Sequence, residues 1–462
     1  MEFVILPLSN IDHGAHSLSV TYGYIVRSVK AEAIEAAVLR AASEWRLLAA
    51  RVELNPQSQK YQLRVPLAES LPKDYTLVKF TTSKVLGTTL HITSIDPESD
   101  TEAKILEKPP LNYFHHPTTV SALREYASKK TPIISVHVTE TENCACVGIT
   151  LPHGVFDGTG MGMVVKAFNC CLNNLPWTPP RLPVVNPNEL DSKNILMEEL
   201  ERLKEAESIS SEPSPGLDHI KRDFGPAGFL SILSLIMAIL KEKWWYKAAP
   251  GVIYLGPKVV TRIVEGVKKQ ATEEGKGWVS TGDILVAFFL KAAYLDEGLT
   301  SMHILAGTGP VSLRKLLATS TGNDAFSEYT NNCHLSFAFP QLTVRQISAM
   351  SLYELALVHR RAIESVRNVS VVQEYEKWVA APSSTGGLDG KAPIPLKKSG
   401  IDGWIIAGFW HYMSPMFPDH AFTLNKLRGG YVLDGFSGIR PTRMASVERA
   451  LEGIRSGKPL VL

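Results

Sequence analysis

His153 stands in the run Leu-Pro-His-Gly-Val-Phe-Asp-Gly, residues 151–158, between a strand-like stretch and a helix-like one. A loop there can present an imidazole to a cleft while the strand fixes its backbone. Imidazole changes charge near neutral pH, so it can take a proton from a hydroxyl or amine as that atom attacks a carbonyl. Asp157 falls at the helix start, where free amides stabilise a carboxylate, and Gly158 keeps the far side of the loop open. A plainer alternative is a histidine packed at a strand end beside an ordinary Asp N-cap. With 13 histidines in the chain, His-x-x-x-Asp arises readily by chance, and the following Gly narrows it. Spacing alone leaves both readings open.

Three elements must hold this loop. Ile133 to Thr139 and Cys144 to Leu151 read as strands joined by a turn at residues 140–143, and Asp157 to Leu172 reads as a helix. Upstream, Ser17 to Val29 reads as a strand, and Ala31 to Ala50 places Ile34, Ala37, Val38, Ala41, Trp45 and Leu48 on one helical face. Residues 176–225 are rich in proline and charge, which predicts a crossover segment without a core of its own. The second half opens with an apolar run, Ala227 to Leu240, then a helix over Val259 to Lys269 and a capped helix after Ser280-Thr281-Gly282-Asp283. Leu352 to Val366 reads as another helix, Ala381 to Lys398 as a long loop, and the remainder as short strands with a final helix near Ser446 to Ser456. The division predicted is 1–175, a linker at 176–225, and 226–462.

Composition removes several classes. A formal net charge of +2 over 462 residues leaves no surplus to neutralise nucleic-acid phosphates. The five cysteines include no Cys-x-x-Cys pair, which suits reduced thiols, and the start of the chain lacks a basic n-region. The expectation is a cytoplasmic monomer, at most loosely membrane-associated. The run 227–240 is shorter than the ~20 residues a bilayer span needs. Its preferred reading is a buried or partly exposed helix; the alternative is an interfacial helix rimmed by Lys241, Lys243, Trp244 and Trp245. His13-Gly-Ala-His16 and Cys144-Ala-Cys146 are too isolated for a metal site, and none is expected. Gly158-Thr-Gly-Met-Gly162 sets its third glycine one residue early for a dinucleotide loop, so no nucleotide redox cofactor is expected.

The run around His153 closely resembles the His-x-x-x-Asp-Gly signature of the BAHD acyltransferases, especially their fungal relatives. Leu8-Ser-Asn-Ile-Asp12, Ser280-Thr281-x-Asp283 with Ala287, Pro310-Val-Ser-Leu-Arg314 and Asn331-Asn332 resemble further family elements in the right order. The resemblance implies an α/β fold of two chloramphenicol-acetyltransferase-like domains. Each would be a mixed sheet with flanking helices, joined by the crossover, with a channel between the two. It implies His153 as base, Asp157 turned away to pair with Arg314 in a structural role, and acyl-CoA as co-substrate. By position, Lys268 and Lys269 would meet the CoA phosphates, beside Ser280 and Thr281.

The family's Asp-Phe-Gly-Trp-Gly element is absent; the region reads Gly403 to Pro415 instead. Trp404 resembles the Trp of a preceding Thr-Ser-Trp element. Asp402 then replaces a threonine that would steady the oxyanion, where a carboxylate repels developing charge; a register shifted by a residue or two is the alternative. The reading is therefore an acyl-CoA-dependent O- or N-acyltransferase of secondary metabolism, acting without an acyl-enzyme. Two alternatives remain: a CoA-independent cyclase, pericyclase or condensing enzyme using His153 for proton transfer, and a non-enzymatic metabolite-binding protein.

Overall fold

The structure, a computed structural model, describes residues 3–456 apart from 68–70, 86–102, 107–109, 207–214, 248–251, 389–392, 396–402, 407–419, 422–425, 428–429 and 435–440, most of 227–239, and a few positions elsewhere. The sheet that carries the His153 loop runs in the order His420–Ala421, Ser19–Val26, Ala145–Pro152, Ser135–Glu140, Lys79–Lys84. All neighbours are antiparallel except Lys79–Lys84 with Ser135–Glu140. Ala145–Pro152 is buried along its whole length, so it reads as a nearly continuous apolar run and not as an alternating one. Its Gly148 cannot be replaced, because a Cβ there would lie 1.7 Å from the Phe114 carbonyl oxygen. Helices Ala31–Glu44 and Gly158–Leu172 pack on each other and share one core with this sheet. The first of them stops before the expected Ala50: Arg46–Ala49 tightens to a 3₁₀ turn, with Trp45 still buried.

In the second half, Ile304–Ser312 pairs antiparallel with His334–Ala338 and Leu342–Thr343 and parallel with Gly403–Ile406. A further sheet runs Lys426–Leu427, Gly430–Asp434, Val252–Leu255, Ala103–Leu106. Thus Ala103–Leu106 crosses to a sheet of the second half, and His420–Ala421 crosses to the sheet of the first. The fold is mixed α/β with two sheet-and-helix halves, as expected, yet the halves exchange strands at boundaries that composition does not mark.

One expectation is corrected. The crossover segment was expected to lack a core role, but its helix Ile195–Glu205 buries Ile195, Leu196, Leu200 and Leu203 against Val311, Tyr329 and Val372. Its charges occupy the outer face, and an average over the segment hides the apolar stripe. The apolar run was read as a buried or partly exposed helix, and every side chain described in 227–239 lies on the exposed side: Phe229 80%, Leu233 44%, Ile236 46% and Met237 58%. Hydrophobicity alone does not say which face finds a partner. Among the described residues no helix is long and apolar enough to cross a membrane.

Phe229→Ser is accordingly expected to change unfolding free energy by no more than about 0.5 kcal/mol, as at other exposed positions. A buried Phe would cost several-fold more, and chemical denaturation of the full chain separates the two.

Candidate functional site

The His153 loop is held from three sides. The His153 amide donates to Leu18 O at 2.9 Å, and the Val155 and Phe156 amides fold back onto Pro152 O at 3.0 and 3.1 Å. Gly154 sits so close to its neighbours that a Cβ would lie 2.7 Å from the Leu123 side chain. Phe156 forms a β-bridge with Asn331. The imidazole is partly exposed and its Nδ1 is buried with no hydrogen-bond partner among the described residues, which leaves Nε2 as the nitrogen turned to the open side.

Asp157 does a different task. It caps helix Gly158–Leu172, accepting from the Gly160 amide at 2.9 Å. Arg314 donates to both of its oxygens at 2.8 Å, and the Cys333 amide donates at 3.1 Å. Arg314 is itself fixed by the carbonyls of Tyr329 (2.6 Å) and Asn331 (2.7 Å). Burial by itself raises the carboxyl pKa, but the charge and hydrogen bonds of Arg314 outweigh it and the net direction is down. Asp157 therefore stays ionised with its acceptor sites filled by groups other than His153. Gly158 and Gly160 open the same helix; at Gly160 a Cβ would meet Thr330 O at 1.9 Å, so the helix start closes directly onto the 330–332 segment.

The opening motif Leu8 to Asp12 has a task that sequence reasoning did not find. Asp12 is buried and accepts from the Ser9 amide and hydroxyl at 2.7 Å each, and from the Asn332 amide and side chain at 3.0 and 2.8 Å. The Asn332 side chain also donates to the His153 carbonyl at 2.8 Å. Ser9, Asp12 and Asn332 thus clamp the loop from behind. Burial raises the Asp12 pKa to about 7 against the four hydrogen bonds that lower it. His334 was also missed. Its Nδ1 lies 3.9 Å from Asp157, and no spacing rule points to it from the sequence.

The remaining candidates separate from His153 or change role. Ser280 is spent in a capping box with Asp283, which also pairs with His359 Nδ1 (2.5 Å) and Arg360 (2.5 Å). Burial raises the Asp283 carboxyl, but the His359 and Ser280 interactions outweigh it and bring the pKa to about 2. The Ser280 hydroxyl is thus occupied within the fold, and Thr281 is the first residue of the helix it caps. Lys268 and Lys269 lie on helix Pro257–Glu274. Lys269, with Lys258, Arg262 and Glu265, lines an open hollow of ≈ 490 Å³, whereas Lys268 does not. Trp404 is placed by its backbone alone, opposite Ala306 in a parallel pair, and Asp402 lies outside the described residues. Among the described residues no group of three or more His, Cys, Asp or Glu could hold a metal ion.

No protein-family model matches the chain, and no curated protein is similar to it in sequence. Solved structures nonetheless match it from end to end. F. sporotrichioides TRI101, in complex with coenzyme A and T-2, superposes with a TM-score of 0.59 at 12% identity, over 96% of this chain and 97% of that one. Polyketide synthase associated protein 5 from Mycobacterium tuberculosis gives 0.54 at 11% identity, over 98% and 99%. The EpoB NRPS cyclization-docking bidomain from Sorangium cellulosum gives 0.52 at 12% identity, over 98% and 84%. The chain has their fold. That fold is the two-halved, chloramphenicol-acetyltransferase-like one which the motif order implied, although identity this low says nothing of its chemistry.

Two outcomes follow from the clamp. Asp157→Asn leaves Arg314 buried without its counter-charge, so a loss of about 3–5 kcal/mol is expected in denaturant unfolding. The wild-type contribution is present above the ordinary carboxylate value of 3.8 and is lost as pH falls through the depressed folded value; the variant lacks that acid-side loss. Asp12→Asn points an amide donor at the donors of Ser9 and Asn332. It is expected to destabilise by about 1–3 kcal/mol, measurable in the same way.

Proposed function

We propose that this protein transfers an acyl group from acyl-CoA to a hydroxyl or amine of a small molecule, with His153 as general base. The observation that carries this reading is the division of labour at the loop. Asp157 is consumed by Arg314, the helix cap and the Cys333 amide. Of the motif's two polar side chains, that leaves the His153 imidazole to handle a proton, on a backbone clamped by Asn332. As the acceptor oxygen or nitrogen bonds to the thioester carbonyl, Nε2 takes its proton. When the tetrahedral intermediate collapses, the C–S bond breaks and the imidazolium returns that proton to the departing thiolate.

Direct attack is favoured over an acyl-enzyme. All five cysteines are buried, and burial pushes the Cys333 thiol, next to Asn332, up to about 12, so it is not a ready thiolate. The hollow lined by Lys258, Arg262 and Lys269 is the cationic surface we assign to CoA phosphates. That TRI101 carries coenzyme A together with T-2 in one structure, and deoxynivalenol in another, supports a CoA site and a small-molecule site in one such fold.

A second reading rests on a specific finding: the same fold serves an NRPS cyclization domain and an epimerization domain. With the Asp-Phe-Gly-Trp-Gly element absent, a CoA-independent proton-transfer reaction at His153 is the alternative. Incubation with acyl-CoAs and small-molecule acceptors, followed by mass spectrometry, separates them. A product heavier by one acyl group supports transfer, and an isomer of unchanged mass supports the alternative.

His153→Ala is expected to lower kcat by roughly 10²–10⁴-fold, the usual worth of a positioned base. Because the His153 side chain makes no hydrogen bond among the described residues, the unfolding midpoint should hold. Full turnover in that variant sinks the proposal.

A further inference from the structure

The chain segment that clamps the His153 loop brings a second imidazole beside Asp157, at the end of that loop. Asn332 holds the His153 carbonyl, the Cys333 amide holds Asp157, and the next residue, His334, opens the strand His334–Ala338 opposite Ser312. Cys333 is fully buried, whereas the His334 side chain is 27% exposed. Its Nδ1 is buried and has no hydrogen-bond partner among the described residues, so Nε2 is the nitrogen on the open side, as in His153.

The environment also sets the tautomer. Asp157 Oδ2 lies 3.9 Å from His334 Nδ1. That is too far for a hydrogen bond, but close enough for the carboxylate charge to favour the ring proton on Nδ1 over Nε2. Nε2 is then left with its lone pair. Burial pushes the His334 pKa down to about 4; Asp157 opposes this, while His153 and Arg314 add to it. At neutral pH His334 is therefore uncharged and does not compete with His153 for a proton, yet it still accepts a hydrogen bond.

We propose that His334 is a second substrate-contacting residue of the His153 site, its Nε2 accepting a hydrogen bond from a hydroxyl or N–H adjacent to the group acylated at His153. This rests on the acyl-transfer reading and narrows the acceptor to molecules with two neighbouring donors, such as diols and amino alcohols. An acceptor with one donor leaves Nε2 without a substrate partner.

The test uses the full chain labelled with nitrogen-15 in histidine, titrated with cis-1,2-cyclohexanediol and, separately, with cyclohexanol. Between about pH 5.5 and 8 the His334 Nε2 resonance should report an unprotonated nitrogen. The diol should move the Nε2 resonances of both His153 and His334, and cyclohexanol that of His153 alone. His334→Leu should lose the preference for the diol, roughly tenfold in affinity, and His334→Gln should keep part of it. A protonated His334 Nε2, a His334 signal unmoved by the diol, or one moved equally by cyclohexanol overturns the proposal. The wild-type arms do not depend on the variants folding. Acyl-CoA consumption is scored separately: selection of the diol without it sinks acyl transfer but leaves His334 as a recognition group, and consumption without selection does the reverse.

Discussion

The ion pair between Asp157 and Arg314 joins residues 157 positions apart in the chain, and the loop that carries His153 depends on it. One end caps the helix that follows the loop, and the other is tied to the carbonyls of Tyr329 and Asn331. An ionised pair this deeply buried persists only when its remaining hydrogen-bonding capacity is met. The Gly160 and Cys333 amides meet it. The consequence reaches beyond stability: because Asp157 is fully committed, the chemistry available to the loop is that of an imidazole without a carboxylate behind it.

Around that pair the fold forbids bulk. Gly148, Gly154 and Gly160 each sit where a Cβ would overlap another segment, two of them against a carbonyl oxygen. The Gly160 contact with Thr330 O brings the helix start against the 330–334 segment, which hydrogen-bonds both the loop and the opening motif. These hydrogen bonds form a small polar cluster of Ser9, Asp12 and Asn332 inside an otherwise apolar interior. Polar groups so placed are costly unless paired. Their pairing fixes the His153 backbone, while the His153 ring makes no hydrogen bond among the described residues.

Much of this was legible in the residues. Periodicity located the strand before His153 and the helix after it, because one face or both of each element is buried and the pattern follows burial. The Ser280–Asp283 cap was legible for the same local reason, since capping chemistry acts within one turn. The crossover helix was misjudged because its role depends on which face meets a partner. Average composition set the expectation for Ile195–Glu205 and hid its apolar stripe. The strand exchange between halves was invisible, since pairing partners such as Ile105 and Ile253 are set by long-range register and not by local propensity.

By itself, then, the sequence determined the local elements, the mixed α/β class, and the loop on which the proposed base His153 stands. These follow from side-chain chemistry and from spacings of a few residues. Tertiary structure decided what those residues are for. It committed Asp157 to holding the fold, gave Asp12 and Asn332 the task of clamping the loop, and set His334 beside Asp157. The reason is physical: a carboxylate, a hydroxyl or an imidazole has a role only once its partners are known. Here those partners come from the far end of the chain, at separations that no local pattern encodes.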